Sequence, residues 1–289
     1  MSVKRDHLTM IALSSLPIAA GSLVAGGVRN TALIGQVIGT PSGFTLVDLA
    51  IQALVSTLLG VLVVYALFYM MKQRGRGTRK LVVALVVSPI LGFVSIFIGQ
   101  AFLLILFKGT TSVLEGALLA VSVGISMLSL ALVIIDAIPP LFRNLFVAFY
   151  GSIFGTFLGV TMVTTSMVVL IVSLVIEDYF LTKHSPIADD EFMADSIGSD
   201  PFDYTRIQSE RVMIGVGDFV AYSLIAAHAM VFFPIYVWIL TVALAILGIA
   251  INTLVFLKPD EVLPAIPLPA ILSVFPWIVH LVTLAVLSA

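Results

Sequence analysis

Long apolar runs separated by short polar segments dominate the sequence. The hydropathy pattern places these runs at about 8–28, 45–71, 81–107, 113–136, 141–181, 213–231, 233–257 and 264–288. A helix needs roughly 20 apolar residues to cross a bilayer, so the fifth run is too long for one span. Its weakly polar middle, Gly159–Ser166, divides it into helices near 142–159 and 164–181. The pattern predicts an all-α polytopic membrane protein with nine transmembrane helices, spans 1–6 in residues 1–181 and spans 7–9 in residues 213–289, which together form one membrane domain.

Composition supports lipid as the solvent. Of the 289 residues, 60% are hydrophobic and only 10% are charged, with a mean hydropathy of +1.18. Soluble domains carry about 25% charged residues, so this chain cannot build a water-facing surface. The net charge of −2 argues against nucleic acid as a partner, because binding to a phosphate backbone requires many basic residues. Cysteine is absent, which excludes disulfides, thiolate metal sites and cysteine nucleophiles.

The positions of lysine and arginine test the division of the fifth run. With nine spans and a cytoplasmic N-terminus, only Arg29 and Lys108 of the 14 basic residues lie outside, whereas an undivided run places six outside. Because cytoplasmic loops carry the basic excess, the count predicts nine spans, with the N-terminus cytoplasmic and the C-terminus extracytoplasmic. Lys4 and Arg5 before the first run are also typical of a signal peptide. The run continues to Val28, so we expect an uncleaved first span.

The longest polar connection, residues 182–212, joins spans 6 and 7. It contains seven acidic residues and three basic ones. This composition predicts a flexible acidic cytoplasmic loop without secondary structure, which acts as a solvated spacer or as a gate.

Three other polar residues lie within or at the ends of spans. Asp136 closes span 4 just before two prolines, where we expect an interfacial acid that reaches water. His228 and His280 lie within spans 7 and 9, and we expect each to form a hydrogen bond between helices.

Two acidic sites lie deep in the membrane at matching depth. Glu177 and Asp178 occupy the last turns of span 6, and Asp178 is five residues before Lys183. Asp218 occupies the first turns of span 7, seven residues after Arg211. At 1.5 Å per residue these offsets are roughly 8 Å and 10 Å on adjacent antiparallel helices. A charge at such a depth costs at least about 2–3 kcal/mol, so these acids favour a functional role.

Two facing carboxylates have a definite chemistry. In a low-dielectric site they cannot both ionise, so they share a proton. The ionised carboxylate activates a water, while the protonated one polarises a carbonyl and then protonates the leaving amine. This peptide hydrolysis requires no metal and no cofactor, and the chain has no HExxH, GxSxG or P-loop motif. A proton- or cation-coupled transporter that uses Asp178, Asp218 and Asp136 as carrier sites is the alternative.

The acid of span 7 lies in a distinctive string. Residues 215–223 read GVGDFVAYS. Gly215 and Gly217 lack side chains, so a neighbouring helix or a substrate backbone can approach them closely. By their spacing Gly215, Asp218 and Tyr222 share one helical face.

This string closely resembles the presenilin and signal peptide peptidase family of intramembrane aspartyl proteases. The family has GxGD on the seventh of nine spans, a Tyr-Asp pair on the sixth and PALP at the start of the ninth. Residues 264–267 read PAIP and open span 9, with isoleucine in place of leucine. The resemblance implies an aspartic endopeptidase that cleaves transmembrane segments of membrane proteins or signal peptides in the lipid bilayer, in an archaeal-type homologue from a prokaryotic cell membrane. It implies that Asp218 is one catalytic aspartate and that a second motif shapes the active site: Pro264, Ala265, Ile266 and Pro267.

The match on span 6 is looser. Glu177 stands where the family has tyrosine, and the polar segment that ends the span begins about three residues earlier than in the family. The family pattern favours Asp178 as the second catalytic residue. Glu177 remains open as the working acid, because Ser173 and Glu177 share the polar face of the helix, whereas Ile171 lies beneath Asp178.

Two other readings of the motif remain. A prepilin-type peptidase also uses a GxGD aspartate, but it has fewer spans and no counterpart of Pro264–Pro267. A catalytically inactive relative retained for binding would account for Glu177 in place of tyrosine.

Overall fold

A computed structural model of the chain shows α-helices and one short β-hairpin in the residues that it describes. The structure describes residues 2–31, 34, 45–107, 114–184, 201–209, 212–257 and 263–288. The helices are α1 (Ser2–Val28), α2 (Leu46–Leu106), α3 (Leu114–Ile135), α4 (Pro140–Thr161), α5 (Thr164–His184), α6 (Val216–Phe232), α7 (Ile235–Ile251, continued by a π-helical turn at Asn252–Phe256) and α8 (Pro267–Ser288). The hairpin pairs β1 (Arg206–Ser209) antiparallel with β2 (Val212–Gly215), after a 3₁₀ turn at Pro201–Tyr204.

The protein is a multi-pass integral membrane protein. Its helices contain eight segments long and apolar enough to cross a bilayer: His7–Val28, Val47–Ala66, Gly77–Leu106, Leu114–Ile135, Phe142–Thr161, Thr164–Lys183, Ile235–Phe256 and Pro267–Leu287. α6 is a shorter apolar helix. Large apolar side chains such as Leu62 (64% exposed) and Met127 (68% exposed) point outwards, which suits lipid. The predicted division of the fifth run is confirmed, because α4 ends at Thr161 and α5 begins at Thr164.

The second and third apolar runs are two candidate membrane spans, Val47–Ala66 and Gly77–Leu106, as predicted, but both lie on one helix. We expected a connection near residues 72–80, whereas α2 runs from Leu46 through Leu106. The segment between the spans contains no proline, and its lysine and arginine residues favour helix although Gly75 and Gly77 do not. The two halves contact different neighbours. Ser56 hydrogen bonds to Ser173 of α5, and Ser126 of α3 donates to the carbonyl of Ser88.

The helix that carries Asp218, α6, is the centre of the fold. Residues 221–229 are all buried, mainly between α1 and α4. A Cβ added to Gly159 of α4 would lie 2.5 Å from the carbonyl oxygen of Leu224, and one added to Gly21 of α1 would lie 2.7 Å from that of Ser223. Small residues therefore let the backbones approach, which is the usual way for membrane helices to pack. The glycines of α4 that face α6 recur every fourth residue: Gly151, Gly155 and Gly159.

Both histidines join helices, as predicted. His228 is fully buried, with Nδ1 2.8 Å from the carbonyl oxygen of Gly159 and Nε2 3.1 Å from the hydroxyl of Thr164. The Nδ1 atom of His280 lies 2.8 Å from the hydroxyl of Tyr236. These bonds link α6 to the α4–α5 junction and α8 to α7.

The acidic connection contains secondary structure, contrary to the prediction. The 3₁₀ turn and the hairpin occupy its second half, while residues 185–200 and 210–211 lie outside the described part of the chain. Tyr204, Ile207 and Ile214 are buried against a core that includes Val147 and Phe219. The hairpin therefore folds because tertiary packing buries its apolar face, which overrides the polar composition of the segment.

Candidate active site

Asp218 lies in the first turn of α6, directly after the hairpin. Gly215 ends β2 and precedes the helix with extended backbone (φ −69°, ψ 150°). A Cβ added to Gly215 would lie 4.0 Å from Asp218 Oδ2, so the carboxylate turns back toward the end of the strand. The N-terminus of a helix carries partial positive charge, which makes this a favourable place for a carboxylate.

Asp178 lies near the end of α5 and is tied to the segment before α8. Its Oδ2 accepts a hydrogen bond of 2.9 Å from the N–H of Ile266. The backbone of Ala265 and the side chain of Thr182 also hydrogen bond to the carboxylate. The predicted Pro264–Pro267 motif is therefore a direct neighbour of Asp178.

The structure places Asp178 and Asp218 within electrostatic range of each other. The two carboxylates are close enough to interact electrostatically, and both also interact with the hydroxyl of Tyr222. Tyr222 lies one turn after Asp218 on the same face of α6, as predicted, whereas Gly215 ends β2 and is not part of that helical face. The Tyr222 hydroxyl donates a 2.8 Å hydrogen bond to the carbonyl of Ala265. Three elements thus converge on one point: the end of α5, the start of α6 and the segment before α8.

Residues 263–266 are not helical, and α8 begins only at Pro267. Proline cannot donate a backbone hydrogen bond, so the prolines keep this segment out of the helix and leave its backbone groups free for other partners. Asn252, in the π-helical turn after α7, uses one of them: its Nδ2 lies 3.0 Å from the carbonyl oxygen of Ala265. Sequence reasoning missed Asn252, although a lone amide in an apolar span is a signal that could have found it.

Glu177 faces away from this cluster. Its carboxylate packs against Gly60 of α2, so that a Cβ there would lie 2.7 Å from Oε2. The hydroxyl of Ser173, on the same face of α5, lies 2.7 Å from that of Ser56. The polar face of α5 therefore packs on α2. The opposite, apolar face carries Asp178 and packs with α6 and α8 in a hydrophobic cluster: Met167, Ile171, Leu224, Ile266 and Ala270.

The two glycines of the motif do not contact a neighbouring helix. A Cβ at Gly217 would meet no described atom within 4 Å, and one at Gly215 would meet only Asp218 and the backbone nitrogen of Gly217 at 4.0 Å. Gly217 is also exposed. The space beside Asp218 is therefore open on this side.

Asp136 is separate from the aspartate pair. It follows α3 in a left-handed conformation (φ 56°), which aspartate tolerates better than most residues. Its side chain is 16% exposed and accepts from Arg143 at 3.2 Å, with Lys80 3.8 Å away. The expectation of an acid at a helix end is met, but cations and not bulk water surround it.

Among the described residues, no three or more histidine, cysteine, aspartate or glutamate side chains are grouped as a metal site. The polar groups at the point of convergence include two carboxylates, the Tyr222 phenol, the Asn252 amide, the Thr182 hydroxyl and the backbone of the segment before α8. Comparison with models of known protein families finds no match, and comparison with curated proteins finds no significant match.

Proposed function

We propose that the protein is an intramembrane aspartyl protease whose catalytic residues are Asp178 and Asp218. The observation that carries the proposal is the convergence of these two carboxylates beside Tyr222 and the non-helical segment before α8. Two acids from different helices at one point suit a reaction that needs both an acid and a base. The resemblance of GVGDFVAYS and PAIP to the presenilin and signal peptide peptidase family supports the same reaction.

The reaction follows from one proton shared by two carboxylates. The ionised carboxylate removes a proton from a water molecule, whose oxygen attacks the carbonyl carbon of the scissile peptide. The protonated carboxylic acid donates a hydrogen bond to the carbonyl oxygen and stabilises the tetrahedral intermediate. The C–N bond then breaks as the amine takes up a proton from the pair. We assign Asp178 as the initial base because it already accepts the Ile266 N–H, and Asp218 as the acid.

The substrate is a transmembrane segment in this proposal. A peptide carbonyl inside a helix is hydrogen bonded, so the segment must unwind before water can attack. The unwound strand would lie in the open space beside Gly217 and pair its backbone with β2 or with the non-helical residues 263–266. Water would enter from the cytoplasmic side between α5, α6 and α8.

Nine crossings, with a cytoplasmic N-terminus and an extracytoplasmic C-terminus, belong to the same proposal. α6 is span 7 of this topology and brings the number of crossings to nine. It has only 17 residues, which suffice because neighbouring helices and not lipid surround it. The apolar stretches Val47–Ala66 and Gly77–Leu106 count as two of these crossings, so the proposed topology has α2 divided in the membrane, in the basic segment between them, rather than continuous. The distribution of lysine and arginine supports this orientation.

The test is cleavage of a model transmembrane peptide by the purified protein in detergent. We expect the wild type to cut the peptide, and Asp218→Ala and Asp178→Ala each to abolish cutting while the protein remains folded. Full activity in Asp218→Ala would exclude the proposed mechanism. Flux of protons or cations in proteoliposomes without any cleavage would favour the transporter, although Asp136 is already paired with cations and stands apart from the two aspartates.

A further inference from the structure

A buried ion cluster lies where α3 ends and α4 begins. Arg143, in the first turn of α4, is only 5% exposed. Its NH1 group donates to Asp203 Oδ2 at 2.8 Å, and its NH2 group donates to Asp136 Oδ1 at 3.2 Å and to the carbonyl of Ile138 at 3.1 Å. One arginine therefore links the α3–α4 junction to the segment that precedes the hairpin.

Tyr204 strengthens the same link. Its hydroxyl donates to Asp136 Oδ1 at 3.0 Å, and the guanidinium carbon of Arg143 lies 4.8 Å from the centre of its ring. The hydroxyl of Tyr150, two turns after Arg143 on α4, donates to the carbonyl of Tyr204 at 2.6 Å. Burial, together with the Asp136 carboxylate, raises the pKa of Tyr204 to about 12, so its hydroxyl keeps its proton and remains a donor.

The anchored segment connects directly to the start of α6. The carbonyl of Thr205 accepts the N–H of Val216 at 2.8 Å, and Arg206 is paired opposite Gly215 in the hairpin. Arg206 also donates to Asp203 Oδ1 at 2.9 Å. Val216, which is hydrogen bonded to Thr205, is therefore only two positions before Asp218.

We propose that Arg143 and Asp203 are positioning residues, which hold the hairpin against α4 and thereby fix Asp218 opposite Asp178. The expected effect on catalysis rests on the proposed protease function, whereas the expected effect on the position of Asp218 does not. An arginine this deeply buried holds a single geometry as long as its partners are present, and it loses that geometry when one partner is removed. Asp203→Asn is nearly the same size but removes the charge that both Arg143 and Arg206 contact.

The absence of cysteine makes the position of Asp218 measurable without catalysis. In full-length protein in detergent, Asp178→Cys and Asp218→Cys together provide two thiols, which dibromobimane joins only when they are close. We expect rapid cross-linking in this background and several-fold slower cross-linking when Asp203→Asn is added. Lys183→Gln removes an exposed cation from the end of α5 and should leave the rate unchanged.

A second pair of thiols separates local displacement from unfolding. The hydroxyls of Ser56 and Ser173 are 2.7 Å apart and do not contact the hairpin, so Ser56→Cys with Ser173→Cys reports on the rest of the fold. Asp203→Asn should leave this pair unchanged. The inference is overturned if Asp203→Asn slows neither pair, if it slows both equally, or if the aspartate-site pair does not cross-link even without Asp203→Asn.

The effect of Asp203→Asn on peptide cleavage is measured in the protein with both aspartates intact. Displacing a catalytic group by about 1 Å can reduce the rate about 100-fold, so Asp203→Asn should lower kcat about 10- to 100-fold. The fall in kcat should exceed any rise in KM, because β2 is only one of the two places proposed for the substrate strand, whereas Asp218 takes part in every turnover. A change in KM alone would contradict a positioning role. Absence of cleavage by the wild type, with the cross-linking result intact, would refute only the proposed function.

Discussion

The carbonyl of Ala265 accepts hydrogen bonds from two different helices, and this sharing makes a quantitative prediction. Tyr222 of α6 donates at 2.8 Å and Asn252 after α7 at 3.0 Å. A neutral hydrogen bond contributes about 0.5–1.5 kcal/mol net when water competes. In Tyr222→Phe the carbonyl keeps Asn252, and in Asn252→Leu it keeps Tyr222. Each single variant should therefore lose only about 1 kcal/mol of stability, or roughly 2 °C in Tm.

The double variant should lose much more than the sum. With both donors gone, the half-buried carbonyl of Ala265 has no side-chain partner, and leaving it unsatisfied costs up to about 1–3 kcal/mol in addition. Thermal unfolding of the four proteins in detergent, before any assay of activity, measures this coupling as a double-mutant cycle. The prediction concerns the fold of the site, so it does not depend on the proposed reaction.

A matched control lies between α7, which Asn252 follows, and α8, which Ala265 precedes. The Tyr236 hydroxyl also hydrogen bonds across α7 and α8, to His280, but this pair is exposed. Tyr236→Phe should change stability by less than about 0.5 kcal/mol. Additive losses in Tyr222→Phe and Asn252→Leu, within about 0.5 kcal/mol, would refute the shared-acceptor argument.

Three further predictions concern the glycines beside and behind α6, the two acids of α5 and the membrane topology. Gly217→Ala should stabilise the fold by about 0.5 kcal/mol, because the site is open and alanine is the better helix former, yet it should reduce peptide cleavage by filling the space beside the acids. Gly159→Ala is its control and should lose about 1–3 kcal/mol of stability, since its methyl would lie 2.5 Å from a carbonyl oxygen of α6. Asp178→Asn should abolish cleavage of a transmembrane peptide, whereas Glu177→Gln should retain it; the reverse result would make Glu177 the working acid. Arg74→Cys should react with an impermeant thiol reagent only from the cytoplasmic side of oriented membranes, and labelling from outside would refute the proposed topology.

The apolar pattern was sufficient to divide the chain into most of its helices. The break between α4 and α5 was predicted from a few weakly polar residues and the balance of basic charge, and it lies at Met162 and Val163. The same reasoning found both spans of α2 but not the continuity of the helix, because hydropathy reports where lipid ends and not where a helix ends. The segment near Arg74 leaves the apolar pattern, but it contains no proline, so the helix continues despite two glycines.

The site was predictable only where a short motif carries it. Asp218, Tyr222 and the Pro264–Pro267 segment could be named because each lies in a local string, and the structure places them together. Arg143 and Asp203 are 60 residues apart, and nothing near either residue indicates the other. A buried ion pair between distant segments depends on tertiary packing, which a single sequence does not display.

The choice between Glu177 and Asp178 shows where the usual helical argument changes inside a membrane. Polar residues on one face of a span are expected to face the protein interior, and Ser173 and Glu177 do so, but the interior they meet is α2. Asp178 lies on an apolar face because that face packs against α6 and α8, the helices that bring the other groups of the site. Under the proposed function the substrate is itself an apolar helix, and an apolar wall that carries the acids would contact it. The polarity of a face therefore cannot decide between neighbouring acids, and the position of the partner carboxylate can.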